Sequence, residues 1–308
     1  MIAENNFSKI VALWKEDKKQ YVKRSTFAAY TLLIENHILP SFGEMALVEE
    51  QDVQTFVFRK LNEGLSHKTI KDILIVLKMI LRFGAKNQMT EYRQIDIKFP
   101  TERDKHSIDI LNRSHQKQIM EYIRLHFTFK NLGIYICLSA GMRIGEICAL
   151  TWDDLDVENG IIHVRKTIQR IYVIEEHRKY TEVILDTPKT KNSIREIPMT
   201  KNLLKMIRPI KKIVNGNFYV LTNEPKPTEP RTYRNYYKQF MQSLGLPLIK
   251  FHGLRHSFAT RCIESKCDYK TVSVLLGHSN ISTTLNLYVH PNLEQKKRCM
   301  EQMSRLLR

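Results

Sequence analysis

The chain has 308 residues, 43% hydrophobic and 26% charged, the profile of a globular protein with enough apolar side chains for two cores. No apolar run approaches the roughly 20 residues of a membrane helix, and MIAENNFSKIVALWKEDKKQ lacks the basic-then-apolar layout of a signal peptide, so a cytoplasmic protein with no membrane partner is expected. A formal charge of +17 makes a polyanion, nucleic acid foremost, the expected neighbour, and five cysteines without a CxxC pair indicate neither a disulfide framework nor a cysteine-rich zinc site.

Helical patterns fill the first hundred residues, at about 5–20, 24–37 and 50–62, with Pro40 and Gly43 punctuating the stretch between the second and third. The clearest helix starts at Ser66, an N-cap, and carries Ile70, Ile73, Leu74, Leu77 and Leu81 at three-and-four spacing. Lys68 and Lys71 in this segment are candidate DNA contacts. Residues 1–97 are thus expected to form one helical domain. The polar, Pro100-broken stretch 98–107 is expected to be a linker, and residues 108–308 a second domain. Residues 1–100 hold 15 Lys+Arg against 12 Asp+Glu and the remainder 34 against 20, so most of the positive excess belongs to the second domain.

There, helices resume at Ser114, and Ile134, Ile136, Cys137, Leu138 and Ala140 suggest a buried helix just before Gly141. The period then changes. Segments 161–164, 170–174, 182–185 and 195–199 are short and β-branched and read as one small antiparallel sheet, after which helices return, interrupted near 225–230. The expected fold class is mainly α with a small antiparallel sheet, α+β, ending in a tail helix from about residue 292. In that tail Leu293, Met300, Met303 and Leu307 form an apolar stripe.

Four clusters carry groups able to handle a phosphate: GMRIGE (141–146), TPKTKNSIREIP (187–198), HGLRH (252–256) and LLGHS (275–279); LNLYVH (285–290) adds a nucleophile. Singly, each has an innocent reading. Arg143 could cap the preceding helix, Lys189 and Lys191 could be solvated hairpin charges, His252 could be a helix N-cap, and Tyr288 is one of 13 tyrosines. Together they suit phosphoryl transfer, because planar guanidiniums hold the equatorial oxygens of a phosphodiester through paired hydrogen bonds. Arg143 and Arg255 fit that clamp, and His252 and Arg255, three apart, share a helix face. His252 and His256 at i,i+4 also suit zinc, but Gly253 stands where a metalloprotease has Glu and no acidic third ligand follows, so no metal site is expected.

The ordered series Arg143, Lys189, His252, Arg255, His278 and Tyr288 resembles the signature of the tyrosine recombinase, or phage integrase, family across the whole second domain. The first domain resembles that family's core-DNA-binding module. The resemblance implies that Tyr288 attacks the scissile phosphorus to give a 3′-phosphotyrosine and a free 5′-hydroxyl. Arg143, Arg255 and His278 would bind the phosphate oxygens, His252 would orient or deprotonate Tyr288, and Lys189 would protonate the departing oxygen. Glu146 would support the site. Lys191 and Arg195 are further candidate DNA contacts, Tyr269 fits no family position, and His256 and His290 are expected to be packing or capping residues. These roles are chemically coherent: a phenol of ordinary pKa about 10 needs cations or a base to become nucleophilic, and an alkoxide leaving group needs an acid.

No cofactor is implied, because energy is kept in the phosphotyrosine bond. The implied partners are double-stranded DNA core sites held in a two-domain clamp, and other copies of the chain. A monomer in solution would become a homo-tetramer on two sites, with the tail docked on a neighbour and an accessory directionality factor. The chain begins at the core-binding module, so an arm-binding domain is not expected. TPKTKNSIREIPM resembles integrases of mobile elements, with a Xer-like resolvase or invertase as the alternative. Rival readings are a DNA-binding regulator without chemistry, a type IB topoisomerase and a hairpin telomere resolvase.

Overall fold

Asn6 caps the first helix, its side chain accepting from the Lys9 amide, and α1 (Phe7–Lys19) follows, with Phe7, Ile10, Val11 and Trp14 buried along one face. Then come α2 (Arg24–Leu33), a π-helical turn (Ile34–Ile38), α3 (Leu39–Phe42), α4 (Glu50–Asn62) and α5 (His67–Lys86). The chain does not break at Pro40 as the sequence suggests. Proline lacks an amide hydrogen and its ring crowds the carbonyl four residues back, and the wider π turn just before it relieves both problems. Ile34, Ile38 and Phe42 thereby stay on one buried stripe. Ser66 caps α5 as expected, its hydroxyl accepting from the Thr69 amide, and every apolar residue named for that helix is buried.

The structure, a computed structural model, describes residues 6–91, 94–101, 109–175, 178–188, 191–288 and 293–306. It divides into two units, Met1–Lys105 with Ile171–Glu182, and His106–Arg170 with Val183–Arg308. The first unit extends past residue 97. Ile95 is buried in its core, the Lys98 amide and carbonyl both bond the Gln54 side chain, and the Lys71 ammonium sits 5.1 Å from the Phe99 ring centroid. These contacts hold the start of the expected linker against α4 and α5. Lys68 and Lys71 are exposed on α5.

The second unit is built on α7 (Phe129–Ala140), which follows α6 (Arg113–Leu125) and is buried from Asn131 through Ala140. Asn112, two residues before Ser114, caps α6 by accepting from the His115 amide. Gly141 ends α7 in the left-handed conformation, φ 63°, and sends the chain into α8 (Ile144–Ala149). Three strands follow as β1 (Leu155–Asp156), β2 (Ile161–Val164) and β3 (Thr167–Glu175), then β4 (Arg178–Asp186) and β5 (Arg195–Pro198).

The four expected strands exist but do not make one sheet. β2 is central in the order β1-β2-β5, with Ile162 opposite Ile197 and Val164 opposite Arg195, while among the described residues β3 and β4 pair with each other in a separate two-stranded sheet. β1 is two residues long, too short for any alternation to reveal. Helices α9 (Lys201–Lys211), α10 (Pro230–Ser243), α11 (Phe251–Glu264), α12 (Tyr269–Leu276), α13 (Ile281–Tyr288) and α14 (Leu293–Leu306) complete the chain. On α14 the side chains of Leu293, Met300 and Met303 are exposed; Leu307 lies outside the described residues. Among the described residues no helix is long and apolar enough to cross a membrane.

Gly141 is required twice over. Its φ disfavours any side chain, and a Cβ there would fall 2.4 Å from Phe258 Cδ1. Gly160 shares the positive φ, 67°, but an added Cβ would meet only Leu204, at 3.8 Å. Both alanine substitutions should therefore incur roughly 1–2 kcal/mol of backbone strain. Urea unfolding should show a clearly larger loss for Gly141→Ala; equal losses would mean that crowding against Phe258 is unimportant.

Candidate active site

α12 stops at Gly277, which takes φ 63° and whose Cβ would lie 2.9 Å from the Asn192 carbonyl oxygen. Carbonyls at a helix C-terminus lack partners within the helix and carry its partial negative charge. Here three consecutive ones each accept from a different arginine. Leu275 O takes Arg195 Nε at 2.7 Å, Leu276 O takes Arg255 Nη2 at 2.5 Å, and Gly277 O takes Arg143 Nη2 at 3.0 Å. Arg255 is tied at its other end to Gly141 O, at 2.8 Å, so the turn after α7 and the end of α12 share one guanidinium.

One carboxylate accompanies these cations. Glu146, at the third position of α8, accepts from the Arg143 amide and Nη1, both at 2.8 Å, and takes both terminal nitrogens of Arg195, at 3.0 and 2.9 Å. Burial acts to raise its pKa, but the Arg195 hydrogen bonds and charge, then Arg143, outweigh this and hold it down to about 2. Arg255, 1% exposed, is lowered to about 9 by burial and then by the Arg143 charge, and so stays a cation at neutral pH.

The histidines answer the same positive field. His278 follows Gly277 and places Nδ1 2.8 Å from the buried Thr284 hydroxyl; burial, then Arg255 and Arg143, bring it to about 4. His252 keeps an exposed edge, yet partial burial, then His256, Arg255 and Arg143, also bring it to about 4. Tyr288, the last residue of α13, is half-buried and pushed up to about 12 by burial, with Arg255 opposing. Its hydroxyl lies 2.5 Å from Nδ1 of His256. A cleft of about 400 Å³ is lined by Arg143, His278, Thr187, Pro188, Ser193 and Thr283, so an anion entering it would meet Arg143 and His278 together.

The structure thus gathers Arg143, Glu146, His252, Arg255, His278 and Tyr288 in the second unit. Lys189 lies outside the described residues, as does His290, and of Lys191 only the backbone, in a short 3-10 turn, is described. Two expectations need correction. Arg195 is not a surface DNA contact: its side chain is 4% exposed and locked to Glu146 and Leu275, because β5 alternates and the register that buries Ile197 buries Arg195 too. His256 is not a mere packing residue, since it bonds Tyr288, the contact expected of His252. The innocent reading of Arg143 as a cap of the preceding helix also falls: it opens α8, its amide and Nη1 both donating to the Glu146 carboxylate. A period-two reading of REIP reveals Arg195; His256 and Tyr288 are 32 residues apart and share no local signal.

A half-buried tyrosine beside clustered guanidiniums and imidazoles, on an α+β domain joined in sequence to a helical one, is the architecture of enzymes that transfer phosphodiesters through tyrosine. The comparisons agree. The phage integrase family model matches residues 109–295, and the model for the phage integrase N-terminal SAM-like domain matches residues 6–60. The tyrosine recombinase XerC-like protein of Caldanaerobacter subterraneus subsp. tengcongensis is 31% identical over 92% of this chain and 78% of its own length. The ICEBs1 integrase of Bacillus subtilis is 24% identical over 89% and 76%, and the Tn916 transposase of Enterococcus faecalis 24% over 84% and 66%. Among solved structures, the Tn1549 integrase in complex with transposon right end DNA superposes with a TM-score of 0.79 at 22% identity, covering 97% of this chain and 99% of that one. The lambda integrase tetramer bound to a Holliday junction gives 0.63 at 16%, over 94% and 79%. This chain belongs to the phage integrase family: it is a tyrosine-type site-specific recombinase, related to mobile-element integrases and to Xer recombinases.

The depressed titrations predict how stability depends on pH. Glu146, down from an ordinary 4.5 to about 2, stabilises the fold above pH 4.5 and loses that contribution as pH falls through about 2. His252 and His278, down from 6.5 to about 4, act in the same direction at higher pH: below 6.5 the unfolded chain takes up protons that the fold refuses. Stability should therefore decline from pH 6.5 towards 4, with a shallower slope in His252→Gln and His278→Gln; an unchanged slope in both would refute the assignment. Separately, Arg195→Ala removes one partner of a buried ion pair and should cost about 3–5 kcal/mol in urea unfolding. Lys68→Ala, on an exposed face, should stay within about 0.5 kcal/mol.

Proposed function

We propose that this protein cuts and rejoins DNA strands at specific sites through a 3′-phosphotyrosine on Tyr288, and so integrates or excises a mobile element. The observation that carries the reading is the meeting of Arg143, Arg255, His278 and Tyr288 around one polar cluster. In this scheme Tyr288 attacks the scissile phosphorus, and Arg143 and Arg255 hold the equatorial oxygens as charge spreads onto them. His278 becomes their third donor once the anion's charge offsets the burial and the field that keep it neutral. Glu146 fixes Arg143, His252 lies beside the reacting tyrosine through His256, and Lys189 protonates the 5′-oxygen. Lys68, Lys71 and Lys191 contact the DNA backbone, and neither metal nor nucleotide is needed for the transfer.

The partners in this reading are duplex core sites and three further copies of the chain, assembled on DNA from cytoplasmic monomers, with an accessory factor setting direction. The exposed Leu293, Met300 and Met303 on α14 favour docking of the tail on a neighbouring copy. A Xer-type resolution role is the second reading, favoured by the 31% identical XerC-like relative. Mapping the covalently bound DNA ends in the native host separates the two, since element termini support integration and a chromosomal resolution site supports the alternative.

A duplex nicked near the cleavage position traps the covalent step. Tyr288→Phe should bind it normally and yield no adduct on a denaturing gel, and an adduct from that variant would sink the proposal. Lys189→Ala should cleave ordinary DNA at least about 100-fold more slowly yet regain speed on a substrate whose 5′-leaving oxygen is sulfur, because a thiolate leaves without a proton. Rescue of Lys191→Ala instead would exchange the roles of the two lysines.

A further inference from the structure

His252 is the histidine that the sequence pattern offers as the partner of the tyrosine, but the geometry selects its neighbour one turn along α11. His256 Nδ1 and Tyr288 Oη are 2.5 Å apart, with ring centroids 5.6 Å apart and planes inclined at 52°. The His252 ring stands edge-on behind it, centroids 4.5 Å apart at 87°, against His256 rather than against the phenol. Resting on the proposal that Tyr288 is the nucleophile, we infer that His256 accepts the Tyr288 proton and that His252 acts through it, as a positioning residue.

The chemistry balances. As the bond from Tyr288 Oη to phosphorus forms, the phenolic proton passes to Nδ1 of His256. The bond from phosphorus to the 5′-oxygen breaks, its electron pair leaves with that oxygen, and Lys189 supplies the oxygen's proton. On rejoining, the 5′-hydroxyl attacks phosphorus as its proton returns to Lys189, the bond from phosphorus to Oη breaks, and His256 returns the proton to Oη. An acceptor must have a bare Nδ1 at working pH, and burial, then the Arg255 charge, hold His256 below its ordinary 6.5. The groups around it favour the same state. Its own helix presents Arg255 and His252, and α13 presents Tyr288. A proton does not pass from a phenol near 12 to such an imidazole unaided. Transfer becomes favourable as phosphorus draws electrons from Oη and the phosphate brings negative charge beside His256.

The test uses full-length protein and a nicked duplex with sulfur at the 5′-leaving position, so that proton donation by Lys189 drops out and tyrosine deprotonation is the proton transfer that remains. Adduct formation is timed from pH 5 to 9 for wild type, His256→Asn and His252→Asn, with half-site binding and melting temperature recorded for each. The wild-type rate should fall below pH 6.5 and level off above it. His256→Asn, whose amide can still accept a hydrogen bond from Oη but cannot take up the proton, should bind DNA, react about 100-fold more slowly or worse, and rise steadily with pH because hydroxide must remove the proton. His252→Asn should keep the plateau. A plateau retained by His256→Asn, at any rate, would overturn the inference, as would its loss in His252→Asn alone. An adduct from Tyr288→Phe in the same assay would instead overturn the nucleophile assignment beneath it.

Discussion

The three carbonyls that end α12 organise this protein. Leu275, Leu276 and Gly277 reach Arg195 from β5, Arg255 from α11 and Arg143 from the start of α8. Three elements separated in sequence are thereby pinned to one helix terminus, where unpartnered carbonyls and the helix dipole favour cations. The turn works because residue 277 is glycine: its left-handed conformation lets the chain reverse, and a side chain would strike Asn192 and Arg195.

Electrostatics follow from that geometry. The chain's own groups bring three guanidiniums and one carboxylate, Glu146, into the cluster, leaving a positive excess. Burial and then the field hold His252 and His278 neutral near pH 7, while burial, against the opposing Arg255 charge, leaves Tyr288 a phenol. In the proposed reaction, a site of this kind would suit a phosphodiester in two ways. Its arginines are already oriented, so little reorganisation is needed when charge develops, and its imidazoles can gain protons as an anion arrives.

Much of this was legible in the sequence because the signals are local. The Ser66 cap, the apolar stripe of α5, the buried helix before Gly141 and the β2 and β5 segments follow from spacing within a few residues. The cluster members followed from motif order and the resemblance it carries. What escaped depends on register or on long-range approach. The separation of β3 and β4 from the other strands is a pairing choice that equivalent β-branched segments do not encode singly. Arg195 reads as solvated because it is a basic residue in a charged segment, although alternation with Ile197 turns it inward. His256 reads as a packing or capping residue because nothing local marks its partner, which arrives from a helix 32 residues on.

The claim on which the rest depends is that burial and the arginine cluster keep the histidines uncharged until a phosphate balances the field. Nitrogen NMR of ¹⁵N-histidine-labelled Tyr288→Phe protein at pH 6, with and without a duplex carrying the mapped cleavage site, tests it directly. The account predicts a neutral His278 in the protein alone and a protonated His278 with the duplex, an effect abolished when the scissile phosphate is replaced by an uncharged methylphosphonate. A His278 already protonated without DNA, or one that stays neutral when the charged duplex binds, would contradict it.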